Sequence, residues 1–125
     1  MSKQKTQRVL PANTAKAEVG LLTTTPRKLN LVAQLIRGMQ VSDALDTLAF
    51  SKKRAAKEVR KLVSSAISNA ENNHGLDVDS LVIAEAFVGK AMMLKRMMPR
   101  ARGRGARILK RYSRMTVIVR EVEVA

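Results

Sequence analysis

Residues 89–114 read GKAMMLKRMMPRARGRGARILKRYSR, and the fold turns on how this stretch is read. It carries ten basic residues and no acidic one: Lys90, Lys95, Arg96, Arg100, Arg102, Arg104, Arg107, Lys110, Arg111 and Arg114. Runs rich in branched apolar residues flank it, LVIAEAFV from Leu81 to Val88 and MTVIVREVEV from Met115 to Val124. Two strand-like runs around a Pro/Gly-punctuated centre predict a long β-hairpin. If its strands continue through Lys90–Met97 and Ala106–Arg114, each extends about 25–30 Å at roughly 3.3 Å per residue. A ribbon of this kind has no core of its own and is marginal in water. Its like charges repel unless something anionic offsets them. The arm therefore points to nucleic acid.

A disordered Arg/Gly segment that adapts to RNA is the competing reading of the centre. The strand-like flanks favour the ribbon. Within it Gly103 and Gly105 are expected to supply positive φ, and Pro99 to limit pairing. Arginine suits such a loop because its planar fork grips phosphate with two hydrogen bonds and stacks on bases. Imperfect alternation in the flanking runs predicts strands buried on both faces or interrupted by a bulge.

Working outward, residues 1–14 mix Lys3, Lys5, Arg8, Pro11 and Asn13 without periodicity and read as a flexible basic extension. Residues 15–22, AKAEVGLL, place Ala15, Ala17, Val19 and Leu21 at period two, a short strand weakened by Gly20. Thr25-Pro26 opens a helix that carries Leu29, Val32, Ala33 and Ile36 at helical spacing towards Gly38. Ser42 and Asp43 open a shorter helix that buries Ala44, Leu45 and Leu48. After Phe50, Ser51 caps a longer helix towards Asn73, with the stripe Ala55, Val59, Leu62, Val63, Ala66, Ile67 and Ala70. The predicted architecture is α+β: three helices on one face of a small three-stranded antiparallel sheet, with a long protruding β-hairpin arm. Residues 15–125 read as a single globular domain, with 90–114 inserted between its last two strands.

The 125 residues hold 24 Lys and Arg against 10 Asp and Glu, a formal net charge of +14. That excess marks a polyanion binder without separating DNA, RNA and anionic membrane. Cysteine is absent, which leaves no disulfide framework, thiolate nucleophile or thiolate metal site. The start lacks the apolar core of a secretory signal, and no run approaches the length of a membrane span, so a cytoplasmic location is expected.

Other features divide between bland and functional readings. Met92, Met93, Met97, Met98 and Met115 either fill a core or pack adaptably against RNA. Lys53, Arg54, Lys57, Arg60 and Lys61 on the third helix form either a solvated face or, with Arg27, Lys28 and Arg37, a second phosphate-binding surface. Lys16 joins the same globular basic set. Phe50, Phe87 and Tyr112 are too few for an aromatic stacking platform, so recognition should rest on phosphates and RNA shape. Bulky interfacial aromatics are equally missing for membrane-surface binding. His74 suits a helix C-terminus better than general-base work. Asp43/Asp46 and Asp77/Asp79 have no nucleophile or metal-ligand set beside them, and no phosphate-loop glycine pattern occurs. No enzyme, cofactor or metal site is expected. The rival to RNA is a DNA-architectural protein that inserts the Pro99-bearing ribbon into a groove. It would need a dimer interface, and the helices show no spare apolar face, so no homo-oligomer is expected.

Three stretches together carry a resemblance: TPRKLNLVAQLIRG, SSAISNAENNHG and KRMMPRARGRGARILKRYSRMTVIV. They resemble the bacterial large-subunit ribosomal protein L22 family, in order, from about Ala15 to Val122. Lys95, Arg100, Ala101, Gly103 and Arg104 fit that family's arm pattern, whereas Arg114 stands where His, Asp or Asn is usual. The resemblance implies a ribosomal-RNA-binding constituent of the large subunit that helps it assemble. It implies a body near the exit-tunnel opening and a hairpin that reaches inward to line the nascent-peptide tunnel. The tunnel-lining tip would be Met97, Met98, Pro99, Arg100, Ala101, Arg102, Gly103, Arg104 and Gly105. Partners so implied are large-subunit ribosomal RNA, neighbouring large-subunit proteins and, transiently, the nascent peptide.

Overall fold

The computed structural model describes residues 2–123. The elements run β1 (Thr14–Leu22), α1 (Pro26–Ile36), α2 (Val41–Ala49), α3 (Ala56–His74), β2 (Leu81–Pro99) and β3 (Gly105–Glu121). Short 3-10 turns occupy Val78–Ser80 and Ala101–Gly103. The sheet is antiparallel throughout, in the order β1-β3-β2. The α+β class, the three helices and the long hairpin are thus as expected. Val124, the last residue of the expected final strand, lies outside the described residues.

Helix α1 begins as the Thr25-Pro26 pair predicts, with Pro26 in the first turn and Thr25 extended, although the Thr25 side chain makes no capping bond. Leu29, Val32, Ala33 and Ile36 form its buried stripe. Helix α2 starts at Val41, earlier than Ser42/Asp43, because Val41 is buried and belongs to the apolar face. Leu45, expected inside, is only half-buried. Helix α3 starts five residues after Ser51, not at it. The Ser51 hydroxyl instead accepts from the Lys53 N–H at 3.3 Å, a local turn that competes with capping.

Helix α1 lies over β2, α3 over β1, and α2 packs on α3. The Asn69 amide donates to the Lys16 carbonyl at 3.0 Å, and the Arg37 Nε donates to the Ala86 carbonyl at 2.7 Å. Both bonds fasten a helix to the strand beneath it.

Sheet parity departs from the sequence reading in two places. In β1 the register shifts between Val19 and Leu22, so Leu22 is buried and Leu21 faces solvent. One irregularity of this kind exchanges the two faces for everything beyond it. In β2 the register shifts between Ile83 and Glu85, so burial passes from Leu81 and Ile83 to Ala86. The central strand β3 alternates cleanly: Met115, Val117 and Val119 are fully buried, while Thr116 and Ile118 between them are half-buried. The sheet is therefore covered on one face, and the imperfect pattern of β2 reflects bulges rather than double burial.

A further pairing had no strand signal in the sequence. The Gly38 N–H donates to Ile83 O, and the Ile83 N–H to Met39 O, both at 2.9 Å. Gln40 bridges Val82, so residues 38–40 cover the outer edge of β2 within the body. Ser113 is fully buried and donates its hydroxyl to the Thr24 carbonyl, which ties the approach to α1 to the central strand. Among the described residues, no buried side-chain nitrogen or oxygen lacks a partner.

The helices are not without exposed apolar surface, contrary to expectation. Leu31 and Leu35, one turn apart on α1, are each about half exposed, and Phe50 is 87% exposed.

Candidate nucleic-acid interface

Burial stops at Ala86 on β2 and resumes at Ser113 on β3; no residue from 87 to 112 is buried. Strand pairing nevertheless continues to Pro99↔Gly105, at the far end of the arm. Pro99 closes the ladder rather than breaking it.

A second bulge separates arm from body. Lys90 pairs with Ser113 and Met93 with Arg111, so Ala91 and Met92 together oppose Tyr112. Beyond it the register is regular, and it sorts the charges. The pairs are Met93↔Arg111, Leu94↔Lys110, Lys95↔Leu109, Arg96↔Ile108 and Met97↔Arg107. Each sets one cation opposite one apolar side chain, and no two cations face each other directly. Like charges directly opposite destabilise a sheet, whereas aliphatic stems of Lys and Arg lie well along apolar neighbours. Because alternate residues point to opposite faces, Lys95, Arg107 and Arg111 share one face while Arg96 and Lys110 share the other. Both faces of the ribbon are cationic.

At the tip the Arg100 N–H donates to the Arg104 carbonyl at 2.6 Å, closing a loop that displays Arg100, Arg102 and Arg104. Positive φ falls at Arg102 (62°) and Gly103 (71°), and not at Gly105 as expected. Gly105 is instead a strand residue where a Cβ would lie 3.3 Å from the Met97 sulfur. Any crowding there comes from the flexible, exposed Met97 side chain, not from backbone handedness.

Among the described residues the one ion pair is Lys16–Glu18, 3.3 Å apart and exposed on β1. Among the described residues none of the ten arm cations is paired with a carboxylate. Their one side-chain hydrogen bond is local, from the Arg96 guanidinium to the Lys95 carbonyl at 2.9 Å.

The globular cations do not form one surface. Arg27 and Lys28 at the start of α1 line a cleft with Lys90 and Arg111 at the arm's root. Lys28 also meets Lys53 and Arg54 across a neighbouring groove. Lys57, Arg60 and Lys61 are exposed along α3. Arg37 holds the Ala86 carbonyl and the Asn30 side chain, so its guanidinium is engaged within the body. Lys16 lies apart, near Asn73 and His74.

Two further basic residues are exposed that the sequence reading left aside: Lys52 and Arg120. Lys52 adjoins Lys53 and was findable by adjacency. Arg8 reaches back to the Thr14 carbonyl and lies 3.4 Å from the His74 ring, a placement that an aperiodic extension does not announce.

The methionines divide. Met115 is fully buried in the core, while Met92, Met93, Met97 and Met98 are exposed on the arm, Met97 by 74%. Asp77 accepts from the Asp79 N–H and the Ser80 hydroxyl, both at 3.1 Å, so it shapes a turn. Among the described residues no cluster of His, Asp or Glu is arranged to hold a metal, and no helix is long and apolar enough to cross a membrane.

The family model described as ribosomal protein L22p/L17e matches residues 17–120. The chain is 61% identical over 125 residues to the large ribosomal subunit protein uL22 of Methylobacterium radiotolerans, covering 100% of this chain and 98% of that one. It is 60% identical to the protein of the same name from Methylocella silvestris, with the same coverage. Against that from Caulobacter vibrioides it is 60% identical over 122 residues, covering 98% and 97% of the two chains. With a family match across the sheet, helices and arm, and relatives this similar end to end, the chain belongs to the ribosomal protein L22p/L17e family, whose members are structural proteins rather than enzymes.

Proposed function

We propose that the chain is a cytoplasmic structural constituent of the large ribosomal subunit that binds ribosomal RNA, aids assembly and lines the nascent-peptide exit tunnel with its arm. The observation that carries this reading is the distribution of unpaired cations over both faces of the ribbon and around its tip. A ribbon laid on one surface needs charge on one face. A ribbon held between two walls of RNA uses both.

Lys95, Arg96, Arg100, Arg102, Arg104 and Arg107 then neutralise phosphates along the tunnel wall, with Lys90, Lys110, Arg111 and Arg114 nearer the body. Met97–Gly105 borders the lumen and meets the nascent peptide in passing. The globular cations position the body on RNA; such contacts fix register and carry little sequence information. Residues 15–125 act as one unit with the arm inserted, and 1–14 as an extension. Apolar partners in the ribbon keep cationic stems extended without a core, so the arm gains most of its order from the RNA it meets.

Sedimentation of a lysate through sucrose gradients, at low and then high salt, tests this. Cofractionation with large subunits that survives high salt is expected. A surface binder making 6–10 phosphate contacts loses about 10³–10⁵ in affinity between about 50 and 200 mM salt. Release at modest salt, or recovery with chromosomal DNA, would overturn the embedded arrangement in favour of peripheral or DNA-architectural binding. Deleting Met97–Gly105 should leave the body folded and alter the tunnel; loss of the fold would count against the arm's independence.

A further inference from the structure

The cleft at the root of the arm is built differently from the ribbon. It has a volume of about 760 Å³, within the range of small-molecule sites, and lies where α1 faces the second bulge. Arg27 and Lys28 enter it from the helix, Lys90 and Arg111 from the two arm strands. Its remaining wall is apolar and soft, with Met92, Met93 and the half-buried ring of Tyr112. The bulge produces this wall: with Ala91 and Met92 both opposing Tyr112, the extra residue turns side chains that a regular ladder would send to the other face. Ser113, bonded to the Thr24 carbonyl, holds the loop before α1 against β3 next to the cleft.

Four cations around a lined hollow call for an anion, and the sulfur-bearing and aromatic wall calls for something flat and polarisable joined to it. Phosphate alone leaves the wall unused. A paired helix presents phosphates but keeps its bases stacked inside. We propose that this cleft receives a single unstacked nucleotide of RNA, with its base against Met92, Met93 and Tyr112 and its phosphates on Arg27, Lys28, Lys90 and Arg111. The proposal rests on the RNA-binding reading and adds a shape-selective element to it. The ribbon reads charge; the cleft reads an extruded base, and so sets where along an RNA the arm begins.

The test compares the full chain's affinity for two RNA hairpins of equal length and charge. One carries a single unpaired 2-aminopurine nucleotide, and the other is fully paired. At fixed salt the bulged hairpin should bind about tenfold tighter, the ratio one stacked base supplies, with a change in 2-aminopurine fluorescence. Ala91→Trp fills the cleft without altering charge; it should bring the ratio to about one and leave affinity for the paired hairpin unchanged. Arg111→Gln should lower the ratio, whereas Arg104→Gln at the tip should weaken both hairpins equally. Circular dichroism establishes that each variant is folded, and Arg111→Gln, on an exposed position, decides the matter should Ala91→Trp fail to fold. Equal binding of the two hairpins, or a ratio that survives both substitutions, would overturn the cleft. Failure of both hairpins to bind at low salt would overturn the RNA-binding reading itself, and the proposal with it.

Discussion

Residues 81–86 and 93–99 belong to one continuous strand, β2, yet each half is stabilised differently. In the body Leu81, Ile83 and Ala86 are sealed beneath α1, and the strand's outer edge is paired by residues 38–40. In the arm the strand has one partner, no cover and a cation in most cross-strand pairs. The charge divides in the same way. The 25 residues of Lys90–Arg114 hold ten basic and no acidic residues, whereas the other 100 hold 14 and 10. The body is nearly balanced and satisfies itself. The arm holds no counter-charge of its own, and a ladder that resumes past the bulge at Ala91 and Met92 joins a part that satisfies itself to one that does not.

Substitutions on either side of this divide should behave oppositely. The largest effect on stability belongs to Ile83→Ala, which opens a void under α1 and should cost about 2–5 kcal/mol. For a small body that is a fall of roughly ten degrees or more in thermal melting. Met97→Ala, a comparable truncation on the arm, should leave the melt within about 0.5 kcal/mol of the parent. An equal fall in both would erase the distinction. Next comes replacement of Lys95, Arg96 and Arg107 by Gln. Log affinity for RNA against log salt should lose about 0.7–0.9 in slope for each phosphate contact removed, while the melting temperature holds. A retained slope would mean these side chains do not reach phosphate. Ser113→Ala sharpens the boundary itself: removing the buried donor to Thr24 should cost about 1–3 kcal/mol on denaturant unfolding. Smallest is Arg102→Gly, which relieves about 1–2 kcal/mol of left-handed backbone strain at the tip. Slower amide exchange around 100–104 with an unchanged melt is the expected result.

The arm was legible in the sequence because composition and punctuation carry it: ten unopposed cations, flanking Val/Ile runs and a Pro/Gly turn. Helix α1 was equally plain from Thr25-Pro26 and its apolar spacing. What escaped depends on register. Leu22 replaces Leu21 in the core through an irregularity around Gly20, which in the sequence reads only as a weakened strand. Pairing by residues 38–40 uses backbone groups alone and leaves no side-chain pattern. The capping role expected of Ser51 failed because the same hydroxyl can close a shorter turn with Lys53. At the candidate interface the cations themselves were readable. Their matching to apolar partners was not, since it emerges only when Met93 is known to face Arg111. The convergence of Arg27 with Arg111, which are 84 positions apart, depends on the fold as a whole.

The cross-strand matching has a consequence for the chain before it joins any assembly. A long ribbon with open edges is a template on which further strands can add, and identical copies are the nearest candidates. Here such self-addition is resisted from within. In-register alignment of two arms would stack Lys95 on Lys95 and Arg107 on Arg107, with Arg96 and Lys110 repeating the clash on the reverse face. Low net charge is a requirement of stacked-strand aggregates, and this ribbon violates it at nearly every rung. The cations proposed to hold RNA would thus also keep freshly made copies apart.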